Sequence, residues 1–214
     1  MDRSEFIKGK RIVIKLGTNV LRHDDGYVSL PRVYSFIESV ATLVKSGKEV
    51  IIITSGAVSF GKKRLGLENT QGTAIKQACA AIGQGKLMSI YENGFDAYGL
   101  TAAQILLTED DFSVRERYLS LRTTLNKLLE LGVIPVINQN DTVSTLNVAL
   151  RYVKEDLQVC FSDNDKLSAL VASELDADLL IILSDIDGLY DDNPKVNKQA
   201  KLIKSVDEVN DDIM

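Results

Sequence analysis

The sequence predicts an α/β protein, a three-layer αβα sandwich with a mainly parallel central sheet. Short runs of consecutive apolar and β-branched residues alternate along the 214-residue chain with longer segments whose apolar residues recur at helical spacing. Strands that are apolar throughout and are separated by helices are typical of parallel sheets covered on both faces. No internal repeat, linker or second domain is evident, so we expect one domain.

The predicted elements follow one another in regular order. The first strand is the apolar run 11–16, which stops at Gly17. The first helix begins at Pro31 and ends before Gly47, because proline is favoured in the first turn of a helix and glycine just past the last. A strand at 49–54 comes next. The same patterns then predict a helix near 73–93, a strand at 101–107, a helix with Tyr118, Leu121, Leu125 and Leu128 on one face, a strand at 133–137, a helix near 165–175 and a strand at 178–183.

The composition argues against several classes of function. The chain has 25 Lys and Arg against 30 Asp and Glu, and its acidic excess lies within residues 185–214. Nucleic-acid binding needs a basic stripe or patch, and no run of basic residues is longer than Lys62-Lys63-Arg64. No apolar run approaches the about 20 residues of a membrane-spanning helix. The N-terminus lacks the apolar stretch of a signal peptide, so we expect a cytoplasmic protein without a membrane segment.

Four loops that follow predicted strands are rich in glycine and small polar residues. In open parallel sheets ligands bind at the carboxyl ends of the strands, and glycine there lets backbone N–H groups approach a phosphate. Any one of these loops is more typical of a tight turn, but their convergence on one edge favours a ligand site. The loops are Lys15-Leu16-Gly17-Thr18-Asn19, Thr54-Ser55-Gly56-Ala57, Asn138-Gln139-Asn140-Asp141-Thr142 and Ser184-Asp185-Ile186-Asp187-Gly188.

Lys15 is the most unusual residue in these loops. An ammonium group inside an apolar strand must be solvated, paired or placed against an anion. A phosphate beside Gly17 meets that requirement, and a lysine that extends to solvent from the strand end is the alternative. The common nucleotide signatures are absent: no Gly-x-x-x-x-Gly-Lys-Ser/Thr occurs, and Gly83-Gln84-Gly85 lacks a third glycine and lies within a helical pattern.

The segment Asp163-Asn164-Asp165 combines acidic residues with a predicted helix start. Ordinary capping explains acids there, but the same residues could also bind an ammonium group or position a lysine. His23 is the sole histidine, which leaves His-based catalysis or metal binding little support. Phosphoryl transfer to a carboxylate suits such a chain, because an acceptor with a pKa of about 4.3 is already ionised at pH 7 and needs no general base.

Five stretches of the chain resemble the glutamate 5-kinase family of the amino-acid kinase superfamily. Each stretch alone is weakly specific, but the five occur in the family's order and cover nearly the whole chain. The third and fourth, rich in asparagine, favour glutamate as the acceptor. The stretches are Val13-Ile14-Lys15-Leu16-Gly17-Thr18-Asn19-Val20-Leu21, Thr54-Ser55-Gly56-Ala57-Val58, Pro135-Val136-Ile137-Asn138-Gln139-Asn140-Asp141, Ser162-Asp163-Asn164-Asp165-Lys166-Leu167-Ser168-Ala169 and Leu183-Ser184-Asp185-Ile186-Asp187-Gly188-Leu189-Tyr190.

This resemblance implies an enzyme that uses ATP and Mg²⁺ to phosphorylate the side-chain carboxylate of L-glutamate, the first step of proline biosynthesis. Lys15 is similar to the lysine that neutralises the transferring phosphoryl group, and Asp165 to the aspartate that holds catalytic lysine in place. Asp141 would suit the α-ammonium of the substrate. Inhibition by proline and assembly into a homo-oligomer are also implied. The resemblance assigns no residue as a ligand of a metal. The matching positions are Ser55, Asp141 and Asn164 for glutamate, and Lys15, Gly17, Thr18, Ser184 and Asp185 for ATP.

The chain departs from the family in two places. The family continues into a glycine-rich stretch with a second phosphate-facing lysine, and many members add a PUA domain. The chain ends at Met214 before either, so we expect residues 1–214 to be an amino-acid kinase domain that is truncated at its C-terminus and lacks a PUA domain. The segment 142–162 is longer than usual, and Ser162 stands where glycine is common; we expect it to alter substrate affinity or control by proline.

Two other functions remain open from the sequence. One is a non-catalytic amino-acid or nucleotide-binding module, which the absent lysine-bearing segment motivates. The other is a kinase of the same fold with a different acceptor, such as aspartate, N-acetylglutamate or a nucleoside monophosphate.

Overall fold

The computed structural model describes residues 3–21, 28–143 and 164–206, and its centre is a parallel five-stranded sheet. The strands are β1 (Arg11–Leu16), β2 (Glu49–Ile53), β3 (Ala102–Leu107), β4 (Ile134–Gln139) and β5 (Leu179–Leu183). Their spatial order is β3-β4-β2-β1-β5. In the register of the sheet, Ile14 of β1 lies between Ile52 of β2 and Ile181 of β5.

Helices connect the strands and cover both faces of the sheet. They are α1 (Leu30–Lys45), α2 (Ala57–Leu65), α3 (Thr73–Asp96), α4 (Asp110–Ser113), α5 (Arg115–Glu130) and α6 (Asn164–Glu174). Two 3₁₀ segments cover Arg3–Lys8 and Thr18–Leu21, and β6 (Leu189–Tyr190) pairs antiparallel with β7 (Leu202–Ile203). Within the described ranges, no helix is both long and apolar enough to cross a membrane.

The alternation of side chains along β1 assigns each residue to one of two apolar cores. Ile12 and Ile14 belong to the core formed with α1 and α3, whereas Val13 belongs to the core formed with α5 and α6. Burial of one such side chain stabilises the fold by about 1.5–3 kcal/mol. Because successive residues of a strand point to opposite faces, Lys15 lies on the same face as Val13. The strand thus directs an ammonium group toward α6.

Two helices meet through glycines rather than side chains. A Cβ atom on Gly61 of α2 would lie 1.9 Å from the carbonyl oxygen of Cys79, and one on Gly83 of α3 would lie 1.8 Å from that of Ala57. Gly56, immediately before α2, has a left-handed φ of 104°, which favours glycine. This close backbone contact fixes the beginning of α2 at the carboxyl edge of the sheet.

The predicted architecture is confirmed, with two differences. The strands and long helices occur within three residues of their predicted bounds, and Gly83-Gln84-Gly85 does lie inside a helix. Ala57 was predicted to end a turn and no element was predicted over residues 58–72, whereas α2 begins at Ala57. In α5 the prediction placed Leu128 with Leu125, but Leu125 and Leu129 are the buried pair. Residues three and four apart both lie on one helix face, so Leu128 is half-buried beside this pair.

Candidate active site

Four strand ends at one edge of the sheet are joined in two pairs by backbone hydrogen bonds. The loops after β4, β2, β1 and β5 follow one another across this edge, because the strands are parallel and adjacent in that order. The Thr54 N–H donates to the carbonyl of Ile137 at 2.8 Å, and the Gly17 N–H donates to that of Leu183 at 3.1 Å. The predicted site residues on these loops therefore lie on one continuous surface, with Lys15 near its middle.

Lys15 is paired with Asp165 beneath this edge. Its ammonium Nζ contacts Oδ1 of Asp165, a residue in the first turn of α6. The Lys15 side chain is 8% exposed and that of Asp165 is 45% exposed. Of the alternatives left open by the sequence, pairing with an acid is thus the observed one. The carboxylate holds the ammonium in place while its own outer part remains open to solvent.

Gly17 leaves space beside this ammonium group. A Cβ atom there would lie 3.2 Å from the carbonyl oxygen of Leu183 and 3.7 Å from Nζ of Lys15. Thr18 follows as the first residue of the 3₁₀ segment. The N–H of Gly17 already bonds to Leu183, so the contribution of this glycine is access to Lys15 rather than a donor.

A small polar cavity of about 220 Å³ lies between the loops after β2 and β4. Ser55, Asp141 and Asn164 line it together, as the sequence predicts. The Ser55 hydroxyl donates to the carbonyl of Leu16 at 2.9 Å, which connects the cavity to the end of β1. Nζ of Lys76, from the first turn of α3, lies 3.5 Å from Oδ1 of Asp141. The other lining residues are Gly56, Ala57, Val58, Ser59, Asn138 and Gln139.

A chain of side-chain amides supports one wall of the cavity. Nδ2 of Asn164 donates to the carbonyl of Thr54 at 2.8 Å and to Oδ1 of Asn138 at 3.3 Å. Nδ2 of the buried Asn138 donates to Oε1 of Gln84 at 2.9 Å, and Nε2 of Gln84 donates to Oε1 of Gln104 at 3.1 Å. The backbone carbonyl of Thr54 can only accept, so it fixes which atom of Asn164 faces it. Both Nδ2 hydrogens of Asn164 are thereby used, and what it can offer a ligand is its oxygen.

Ser184 and Asp185 occupy the exposed loop after β5. Lys195 Nζ and Asn19 Nδ2 each lie 3.2 Å from Oδ2 of Asp185. The ammonium of Lys195, followed by the amide of Asn19, holds the pKa of this carboxyl below its ordinary value. Asp185 is therefore an anchored carboxylate on the side of Lys15 opposite the cavity.

The structure brings the predicted residues together as three adjacent groups. Asn164 and Asp165 are consecutive, so they join the cavity to the Lys15 pair. Asp163, Ser162 and His23 lie outside the described residues. Lys76 and Gln84 were not predicted from the sequence. A lysine on a helix ordinarily marks a solvated face, so Lys76 gave no indication of its place in the cavity. Gln84 lies on the buried face of α3, and a polar residue among the apolar positions of that face could have indicated a buried hydrogen-bond network.

A second, larger cavity shares none of the predicted residues. It measures about 330 Å³ and is lined mainly by apolar side chains such as Phe60 and Ile82. In the part of the chain that the structure describes, no group of three or more His, Cys, Asp or Glu residues could hold a metal ion. This cavity is therefore separate from the polar residues that the sequence predicts for a site.

Residues 10–212 match the amino acid kinase family over almost the whole chain. The chain belongs to this family. Among similar amino acid kinases is a glutamate 5-kinase of Caldanaerobacter subterraneus subsp. tengcongensis, 48% identical over 204 residues, which cover 95% of this chain and 52% of that protein. Glutamate 5-kinase 2 of Bacillus subtilis is 46% identical over 205 residues, with 95% and 52% covered. The glutamate 5-kinase of Geobacter sulfurreducens is 47% identical over 203 residues, with 94% and 52% covered. The chain spans about half the length of the curated relatives it matches.

Two solved structures share the amino acid kinase fold at lower sequence identity. A UMP kinase from Ureaplasma parvum has a TM-score of 0.59 and 17% identity, with 90% of this chain and 74% of that chain covered. A UMP kinase from Bacillus anthracis has a TM-score of 0.52 and 18% identity, with 91% and 72% covered. At this identity the likeness concerns the fold alone.

Proposed function

We propose that this chain binds L-glutamate and ATP and carries the phosphoryl-transfer site of a glutamate 5-kinase. The observation that carries the proposal is the position of the Lys15–Asp165 pair between the polar cavity and the loop of Asp185. A buried cation between an acceptor site and a nucleotide site can stabilise the negative charge that moves between them. The similarity to glutamate 5-kinases supports glutamate as the acceptor.

The proposed reaction forms one bond and breaks one bond. An oxygen of the glutamate side-chain carboxylate attacks the γ-phosphorus of ATP, and the bond from that phosphorus to the bridging oxygen of ADP breaks. The leaving oxygen keeps the electron pair, and no proton has to be removed from the acceptor at pH 7. Asp165 fixes the position of the Lys15 ammonium group, so catalysis depends on placement and electrostatics.

The residues around Lys15 fit a triphosphate. Gly17 lacks the Cβ that would lie 3.7 Å from Nζ of Lys15, so a phosphate can approach the ammonium group. Thr18, Ser184 and Asp185 would complete the nucleotide site. Mg²⁺ is commonly held by substrate phosphates and one or two carboxylates, and it would neutralise phosphate charge when bound.

The acceptor would bind in the polar cavity. Asp141 and the oxygen of Asn164 are acceptors, which suits the α-ammonium of an amino acid, and Ser55 lies on the side toward β1. The side-chain carboxylate would then point along the edge toward Lys15. Homo-oligomer assembly, inhibition by proline and a single domain over residues 1–214 stay predictions.

The test measures hydroxamate formation from L-glutamate and Mg-ATP in the presence of hydroxylamine, which traps an acyl phosphate. We expect Lys15→Met to lower the rate by about 10²–10³-fold or more, the scale of losing one electrostatic contact to the transition state. Lys127→Met is the matched control, because Lys127 is exposed and pairs only with Glu130 among the described residues. Equal rates in the two variants would contradict the role of Lys15.

Acceptor choice and catalysis are tested on the wild-type chain. Aspartate, N-acetylglutamate and UMP replace glutamate in parallel reactions that follow ADP release. Preference for any of them overturns glutamate as the acceptor. Stabilisation by glutamate without any product would overturn catalysis by this chain and leave a binding module, since binding raises stability whether or not chemistry follows.

A further inference from the structure

We propose that Lys76 binds the α-carboxylate of the amino-acid substrate and sets the preference for a free α-carboxyl group; this rests on the proposed function. Lys76 lies in the first turn of α3 and lines the same cavity as Ser55, Asp141 and Asn164. The resemblance to known kinases assigned it no role. It is the one cationic side chain among the described residues that line this cavity.

The spacing of charges in the cavity matches an α-amino acid. The ammonium nitrogen and carboxylate carbon of an amino acid are about 2.5 Å apart, because both are bonded to the same carbon. In the cavity, opposite charges lie side by side, with Nζ of Lys76 3.5 Å from Oδ1 of Asp141. A substrate can place its ammonium on Asp141 and its carboxylate on Lys76 at once.

The geometry of this pair leaves capacity for a ligand. Tight charged hydrogen bonds are about 2.7–2.9 Å long, so a contact of 3.5 Å is loose. The Lys76 side chain is 45% exposed, whereas that of Asp141 is 18% exposed. An exposed ion pair of this kind contributes little to stability. Substrate that displaces water from the cavity would strengthen both charged contacts.

Asn164 and Asp141 favour a cation over an anion, which leaves Lys76 as the charged partner for a carboxylate in this cavity. Asn164 uses both amide hydrogens within the protein, so it offers a ligand only an oxygen. Asp141 also offers only oxygens, and both residues repel a carboxylate. Lys15 does not line this cavity and lies one strand further along the edge. The side-chain carboxylate of glutamate therefore belongs near Lys15, and its α-carboxylate near Lys76.

The test compares L-glutamate with L-isoglutamine, which keeps the side-chain carboxylate but carries a carboxamide in place of the α-carboxylate. We expect the wild type to prefer glutamate by about 10–100-fold in kcat/KM, the factor for a hydrogen bond to a charged group. Lys76→Met should raise the KM for glutamate by that factor, leave isoglutamine nearly unchanged and bring the preference close to one. Lys76→Arg should restore part of the preference, because it restores the charge.

Lys86→Met serves as the matched control, since Lys86 is exposed on the same helix and does not line the cavity. It should retain the wild-type preference. Equal losses for both substrates in Lys76→Met would overturn the proposal, because they would mean that Lys76 only orients Asp141 or supports α3. Thermal shifts with the two ligands give the same comparison without turnover. Failure of the proposed function would give a different result from failure of the role of Lys76, because the wild-type chain would then neither bind nor phosphorylate glutamate.

Discussion

Replacing Gly83 and Gly85 by alanine should change the free energy of unfolding in opposite directions, although both lie in α3. A Cβ atom on Gly83 would be 1.8 Å from the carbonyl oxygen of Ala57 and 2.6 Å from the backbone nitrogen of Gly61. A Cβ atom on Gly85 meets nothing within 4 Å. The two variants therefore share a chemical change and differ only in the space around it.

The magnitudes follow from two terms. Alanine is favoured over glycine inside a helix by about 0.8–1.0 kcal/mol, so Gly85→Ala should stabilise the protein by about that amount. In Gly83→Ala the obstructing atoms are backbone, and α2 must move away by on the order of 1 Å. Overpacking costs about 1–3 kcal/mol and occasionally more. Because the obstructing atoms are backbone, the upper end of this range or more applies, and with the helix term subtracted we expect Gly83→Ala to lose about 2 kcal/mol or more.

Urea and thermal unfolding, followed by far-ultraviolet circular dichroism, measure both effects. For a chain of this size 1 kcal/mol corresponds to about 2–4 °C, so Gly85→Ala should raise Tm by about that much and Gly83→Ala should lower it by about 4–8 °C or more. Because Ala57 lines the polar cavity, Gly83→Ala should also raise the KM for glutamate. A Gly83→Ala protein as stable as wild type would refute the argument from close backbone packing.

Two further predictions concern polar contacts. Glu49 pairs with Lys10 at 2.8 Å and with Arg11 at 2.9 Å, and these contacts, Lys10 first, lower its pKa. A lowered folded-state pKa means that the stabilisation is present above the ordinary pKa of about 4.3 and is lost as the pH falls through the folded value. In urea titrations, Glu49→Gln should thus be less stable than wild type by about 0.2–1 kcal/mol at pH 7 and as stable as wild type near pH 3. A difference in unfolding free energy that stays the same at both pH values would contradict this. Gln84→Met leaves Nδ2 of Asn138 without its acceptor, so the free energy of unfolding measured in urea should fall by about 1–3 kcal/mol. Enzyme kinetics should show a raised KM for glutamate and an unchanged KM for ATP. Equal changes in both KM values would instead indicate a general loss of structure.

The sequence predicted the sheet well because its strands consist mainly of apolar residues, which are buried in β1, β2 and β4 and mostly half-buried in the edge strands β3 and β5. The strands end at glycine or polar loops, and α1 and α5 between them carry apolar stripes. Helix α2 escaped prediction for a physical reason. It is short, its buried residues are the small Ala57 and Gly61, and its last turn is the basic run Lys62-Lys63-Arg64, so its apolar pattern is too brief to predict a helix.

The candidate site was predictable only in part. An ammonium inside an apolar strand marked Lys15, and parallel topology placed the loops on one edge. The partner of Lys15 came from resemblance to a family, because spacing along the chain says nothing about a residue 150 positions away. Lys76 was not predictable, since its position in the cavity depends on the contact between α2 and α3 rather than on its own surroundings in the sequence.

The distance along the chain between Lys15 and Asp165 has a consequence for biosynthesis. At about 5–20 residues per second, roughly 8–30 seconds pass between translation of the lysine and of its aspartate. Strands β1 and β2 are available to pair long before that. During this interval a nascent chain carries a lysine on an apolar strand without its carboxylate. The ribosome-bound chain should therefore expose this strand to chaperones until α6 emerges, and Lys15 would be among the last residues to reach its final environment.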